Sequence, residues 1–190
     1  MKKQLIIDAH LDLAMNAMEW NRDLTQPLQD IRERERHLQD KPDRGHGTVC
    51  FDELRNGGIS LVVATQIARY VAPGNPLPGW HSPEQAWAQT QGQLAWYRAM
   101  EEQGQLSLVR DLRSLDIHLS YLGNDDTHSS IGYIVSLEGA DSLVEPDYIF
   151  QAYENGLRAI GPAHYGEGRY ANGTDSSGKL HPLGIELLKL

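Results

Sequence analysis

Short apolar runs alternate with longer stretches of helical periodicity along the chain, a layout met most simply by parallel strands joined through crossover helices. Four runs rich in Ile, Val or Leu have strand length: Gln4 to His10, Ile59 to Ala68, Ile131 to Leu137 and Leu157 to Ala163. A weaker one covers Leu106 to Val109. The helices between them carry their own punctuation. Ser82-Pro83-Glu84-Gln85 reads as an N-cap serine, a proline at the first helical position and a capping-box glutamine, opening a helix to about Gln103 before Gly104. Pro146 opens another through Asn155, with Gly156 as its left-handed stop, and Pro182 starts a helical pattern that runs to Leu190. Four strand-helix units are half of an eight-stranded barrel, which usually needs ~250 residues. At 190 residues the chain is therefore either a smaller open sheet or part of a barrel.

Composition narrows the function classes. Seventeen Lys and Arg against 26 Asp and Glu give a formal net charge of −9, and the basic residues are scattered. Neither a nucleic-acid footprint nor an anionic membrane surface fits that balance. The longest apolar runs fall far short of the ~20 residues that span a bilayer. The apolar stretch after Met1-Lys2-Lys3-Gln4 is too short, and too soon acidic, for a signal peptide. The single cysteine, Cys50, is expected to be packed and fits a reducing cytoplasm. The charged stretch Asp30 to His37 reads as a solvated helix. Trp80, Trp87, Trp96 and Tyr97 read as core, and His37, His46, His81, His118, His128 and His181 as surface residues.

Chemistry concentrates at the strand ends, where parallel α/β folds keep their sites. Asp8, His10 and Asp12 stand two apart, and strand periodicity sends them to one face as hard ligands suited to a divalent ion. The alternative has Asp8 capping a turn, His10 satisfied in the core and Asp12 capping a helix from Leu13. Glu138 closes the third main strand before Gly139; taken alone it reads better as a loop glutamate facing water. His164 follows the fourth and taken alone reads as a hydrogen-bonded loop histidine. Recurrence favours chemistry, because three strands ending in His/Asp, Glu and His are hard to explain as independent accidents. A phosphate-binding glycine loop and a serine-nucleophile elbow are not supported.

These stretches resemble the membrane (renal) dipeptidase family of zinc metallopeptidases, in particular its bacterial cytoplasmic branch. The similarity rests on Ile7-Asp8-Ala9-His10-Leu11-Asp12-Leu13, on Asp52-Glu53-Leu54-Arg55-Asn56-Gly57-Gly58-Ile59, and on Ser136-Leu137-Glu138-Gly139-Ala140-Asp141. Gly156-Leu157-Arg158-Ala159 leading to His164, and Leu180-His181-Pro182-Leu183-Gly184, complete it. The resemblance implies an α/β (β/α)8 TIM-barrel fold, of which residues 1–190 form a single domain carrying about the first four βα units. It implies that His10 and Asp12 bind a first zinc, that Glu138 bridges to a second, and that His164 faces the substrate and polarises the scissile carbonyl. The implied reaction is hydrolysis of small dipeptides by a metal-activated water. The family's two further zinc histidines, its carboxylate-gripping arginine and its proton-handling aspartate lie downstream of this sequence, so the second zinc site is incomplete in it. The exposed edges of an incomplete sheet also lead to the expectation of a homodimer. A metal-binding module without turnover is the alternative from another class. A barrel hydrolase of the amidohydrolase type ranks below both, because that type presents two histidines where this chain has His10 and Asp12.

Overall fold

The computed structural model describes residues 5–122 and 130–190; His128 and Gln4 lie outside them. The strands are β1 (Ile6–Leu11), β2 (Ile59–Gln66), β3 (Leu106–Leu108), β4 (Ile131–Glu138) and β5 (Leu157–Gly161). The helices are α1 (Leu13–Met18), α2 (Leu28–Glu35), α3 (Phe51–Asn56), α4 (Pro83–Glu102), α5 (Leu112–Tyr121), α6 (Tyr148–Glu154) and α7 (Pro182–Leu187). They build one five-stranded sheet in the order β1-β2-β4-β3, with β5 also beside β4. The pairings β1–β2, β3–β4 and β4–β5 are all parallel. The weak candidate is thus a strand, three residues long, reaching only Ile131 to Tyr133 of β4.

Two strands stop earlier than their apolar runs suggest, each for a local reason. β2 ends at Gln66 because the buried Gln93 side chain takes over: its Oε1 accepts from the Ile67 amide at 2.8 Å and its Nε2 donates to the Ile67 carbonyl at 2.8 Å. β5 ends at Gly161 because Pro162 has no amide to donate to the ladder. The start of α4 is as expected, with Pro83 first and Ser82 Oγ accepting from the Gln85 amide at 3.2 Å. Helix α6 begins two residues beyond Pro146, and Gly156 follows it at φ +110°.

The chain clusters into two compact units. The first comprises Met1–Ala64 and Tyr97–Tyr133. Its core includes Leu13, Phe51, Val62, Leu106 and Ile131, with the Tyr97 and Tyr133 rings stacked at 5.5 Å. The Tyr97 hydroxyl accepts from the Ala14 amide at 3.2 Å, satisfying one of the orphan donors in the first turn of α1. Burial pushes that hydroxyl far above the usual tyrosine range. Cys50 is buried and makes no disulfide.

Two sequence expectations need correction in this unit. The segment Asp30–His37 is not uniformly solvated, because the last residue of α2, Glu35, turns inward with its side chain only 5% exposed. Arg22 holds it at 2.8 and 3.1 Å, Arg44 at 2.7 Å and the Gly45 amide at 2.9 Å. Arg44 also binds Asp40, and Arg22 also reaches Asp43 and Asn16. This is the arrangement in which a buried charge is tolerable: paired, with the remaining lone pairs met. His118 is likewise not a surface residue; it is buried, and its Nε2 donates to the Ser60 carbonyl at 2.8 Å.

The second unit comprises Thr65–Trp96 and Ile134–Leu190. Trp87 packs edge-on against Tyr148 at 5.1 Å, whereas Trp80 is exposed and does not belong to the core. Arg169 ties this unit's loops together, donating to the carbonyls of Leu143 at 2.8 Å and Val144 at 3.0 Å. Among the described residues no helix is long and apolar enough to cross a membrane.

Candidate functional site

In the first unit, the carboxyl end of β1 departs from plain alternation. Asp8 pairs with Val62 and Leu11 with Ala64, so three steps along β1 face two along β2. That is a local bulge of one residue, offset by the opposite shift between Ile6 and Ile7, and it leaves His10 and Asp12 side by side. Asp8 is spent locally, its Oδ1 accepting from the His10 amide at 3.0 Å. His10 Nε2 and Asp12 Oδ1 stand 3.7 Å apart, with the histidine side chain 54% exposed, so it is no core histidine. Asp12 is the N-cap residue of α1, yet its side chain makes no capping hydrogen bond. Its carbonyl accepts from Asn16 Nδ2 at 2.9 Å instead.

In the second unit, β4 and β5 bring Glu138 and His164 together. Glu138 is the last residue of β4 and pairs in register with Gly161 of β5. Gly139 then turns the chain at φ +83°, in the left-handed region that glycine enters without a steric cost. Glu138 is half-buried rather than a loop glutamate in water, and its Oε1 lies 3.1 Å from His164 Nε2. The other ring nitrogen, Nδ1, lies 2.6 Å from Nη2 of Arg69. The His164 ring also meets Tyr165 edge-on at 5.0 Å.

Backbone contacts hold these side chains in place. The His164 carbonyl accepts from the Thr174 amide at 2.9 Å, and the Gly166 amide donates to the Thr174 carbonyl at 2.7 Å. Gly173 passes so close that a Cβ there would sit 1.6 Å from the His164 oxygen. The Arg69 carbonyl accepts from the Trp80 amide at 2.8 Å, while the Val71 amide donates to the Trp80 carbonyl at 2.8 Å. Three residues after Glu138, Asp141 is buried and accepts from the Arg169 amide at 2.8 Å. Burial pushes the Asp141 carboxyl above the usual carboxylate range, against the opposing pull of the Arg169 amide and of the Arg169, Arg69 and His181 charges.

Arg69 is the site residue that sequence reasoning missed. A signal for it exists, since it is the first charged side chain after the apolar run that begins at Ile59. His181, by contrast, sits at the N-cap of α7 with Asn172 Nδ2 2.9 Å from its Nε2, a structural position.

No family model matches the sequence, and no curated protein matches it. Solved structures do match. The dipeptidase AC, a metallopeptidase of family M19, superposes with a TM-score of 0.63 at 19% identity, over 98% of this chain and 53% of its own. A Rhodobacter sphaeroides metallopeptidase, solved with a phosphinate mimic of the dipeptide L-Ala-D-Ala, gives 0.62 at 19% identity, over 98% of this chain and 55% of its own. The probable dipeptidase PvdM from Pseudomonas aeruginosa gives 0.63 at 16% identity, over 97% and 43%. The chain therefore has a TIM-barrel-like α/β fold, and it spans about half the length of the structures it matches.

Proposed function

We propose that this chain is the amino-terminal part of a metal-dependent dipeptidase of the M19, membrane dipeptidase, family, acting on the peptide bond of small dipeptides. The observation that carries the reading is the place of the polar groups. His10 and Asp12 close β1, Glu138 closes β4 and His164 follows β5, in a fold shared with dipeptidases. The carboxyl ends of parallel strands are where such folds keep their chemistry.

The donor set fits a divalent cation. His10, Asp12 and Glu138 each offer one ligand atom, an imidazole nitrogen and two carboxylate oxygens, and two negative charges balance a doubly charged ion. Zinc is the cation assigned, and His10, Asp12 and Glu138 would be the residues that hold it. Bound there, the cation supplies a water of lowered pKa and a positive field for the developing oxyanion. The chain's own residues then orient and polarise: His164, anchored by Arg69, offers a ring proton toward the carbonyl of the scissile bond. The cytoplasm is the compartment assigned, a reading supported by a single, buried cysteine and a net charge of −9.

Calorimetric titration with zinc tests the metal assignment. His10→Ala and Glu138→Gln should each weaken binding by more than about tenfold, the loss seen even for outer partners of metal ligands. Unaltered affinity in both variants would overturn it. Chromatographic detection of the products of dipeptide hydrolysis by the zinc-loaded chain tests the activity. Zinc binding without hydrolysis would favour a metal-binding module.

A further inference from the structure

We infer that Arg69 is a positioning residue that fixes the tautomer of His164 and so decides what that ring does. The role of His164 toward a substrate rests on the dipeptidase reading; the tautomer does not.

A guanidinium has only donors. With Arg69 Nη2 2.6 Å from Nδ1, that ring nitrogen presents its lone pair, because a proton there would meet the arginine's own N–H. The neutral ring therefore carries its proton on Nε2. That atom faces Glu138 Oε1 at 3.1 Å, a carboxylate oxygen that accepts. The guanidinium contact gives the ring its direction: the Arg69 N–H donates to Nδ1, and Nε2–H is left as the ring's donor. Each nitrogen takes the only role its chemistry permits.

The arginine is held for the task. Its carbonyl and the Val71 amide are hydrogen-bonded to the two backbone groups of Trp80, so the loop of residues 72–79 is pinned at its root. The ring is held from the other side by the Thr174 amide on the His164 carbonyl. Neither partner needs to be ordered when a ligand arrives, which is the economy of a preorganised site.

The consequence is chemical. With its proton on Nε2, the ring can donate at that atom to a carbonyl oxygen or an oxyanion, and it cannot take a proton there as a general base. Arg69 thus assigns His164 to the electrophilic side of the reaction. Without the guanidinium either nitrogen can carry the proton, and both roles become accessible.

Long-range proton–nitrogen correlation NMR on the full chain reads this directly. In the native protein the Nδ1 resonance of His164 should fall in the range of an unprotonated nitrogen, moved upfield by an accepted hydrogen bond, and Nε2 in the protonated range. Arg69→Met should move Nδ1 downfield toward a bare lone pair. Arg69→Lys, which keeps a cationic donor, should hold it near the native position, and a merely space-filling role for Arg69 would not show that rescue. A proton on Nδ1 in the native chain would overturn the inference even if Arg69→Met failed to fold. So would an identical Nδ1 resonance in native and Arg69→Met proteins. Dipeptide hydrolysis measured on the same samples separates the two readings. The native tautomer with neither zinc binding nor hydrolysis leaves Arg69 in its role and removes the dipeptidase, whereas hydrolysis with a proton on Nδ1 does the reverse.

Discussion

Glu35 and Asp141 are both buried carboxylates, and they pull the acid stability of the chain in opposite directions. Burial alone pushes Glu35 up, but hydrogen bonds from Arg22, the Gly45 amide and Arg44 outweigh it and hold the carboxyl below its ordinary range. Its stabilisation is complete above the unfolded value of about 4.3 and is lost as pH falls through the lower folded value. Glu35→Gln leaves two buried guanidinium groups facing a neutral amide, and it should cost about 3–5 kcal/mol in urea unfolding at pH 7. The deficit should shrink as both proteins are measured below about pH 4, where the native carboxyl protonates in the unfolded chain. Asp141 has the contrary sign: a raised folded value means the ionised form costs stability as pH rises past the unfolded value of about 3.9. Asp141→Asn keeps an oxygen for the Arg169 amide, so it should lose less at pH 7 than Glu35→Gln, and a denaturation series on the two variants checks the order. None of these placements was legible along the sequence. Glu35 meets Arg22 and Arg44, Arg69 meets His164, and His118 meets Ser60 across 95 positions at most, and periodicity carries no information about such pairs.

Elements were legible where a local signal and a buried face agree. β2, β4 and β5 appear within a few residues of their apolar runs, and α4 starts at its proline. Helix α5 carried no such signal because its faces are inverted: Leu112, Ile117, Leu119 and Tyr121 are exposed and His118 is buried. What defines it is a capping box, with Asp111 Oδ1 accepting from the Ser114 amide at 2.7 Å and Ser114 Oγ accepting from the Asp111 amide at 3.0 Å. Asp111→Ala should therefore cost about 1 kcal/mol in thermal unfolding. The segment from His164 to Thr174 depends instead on a missing side chain. Gly173→Ala must displace the His164 carbonyl, and hydrogen exchange at the Thr174 and Gly166 amides should speed up while amides of α4 keep their native protection.

At the scale of the whole chain, the alternation of strand and helix was enough to name a parallel α/β fold. The strand tally was not fully legible, because β3 spans only three residues and gains its definition from β4. β1 lies at one end of the strand order, with Leu5, Ile6 and Ile7 exposed. Such an edge is a template for another strand, the physical basis of the homodimer expected from the sequence. Light scattering across a concentration series should show species heavier than one chain, and Ile7→Lys should shift the population toward the monomer. A single-chain mass at every concentration would remove self-association from the reading.

The bulge in β1 carries a cost that a sheet alone would reject. Excising Ala9 would equalise the counts between the Asp8–Val62 and Leu11–Ala64 pairs, while the opposite shift between Ile6 and Ile7 would remain. Every side chain on one flank of the cut would then swap faces relative to the other, so His10 and Asp12 would turn together relative to Asp8 and the residues before it. A shortened variant should bind zinc worse in a calorimetric titration, because the extra residue sets which way the strand tip faces.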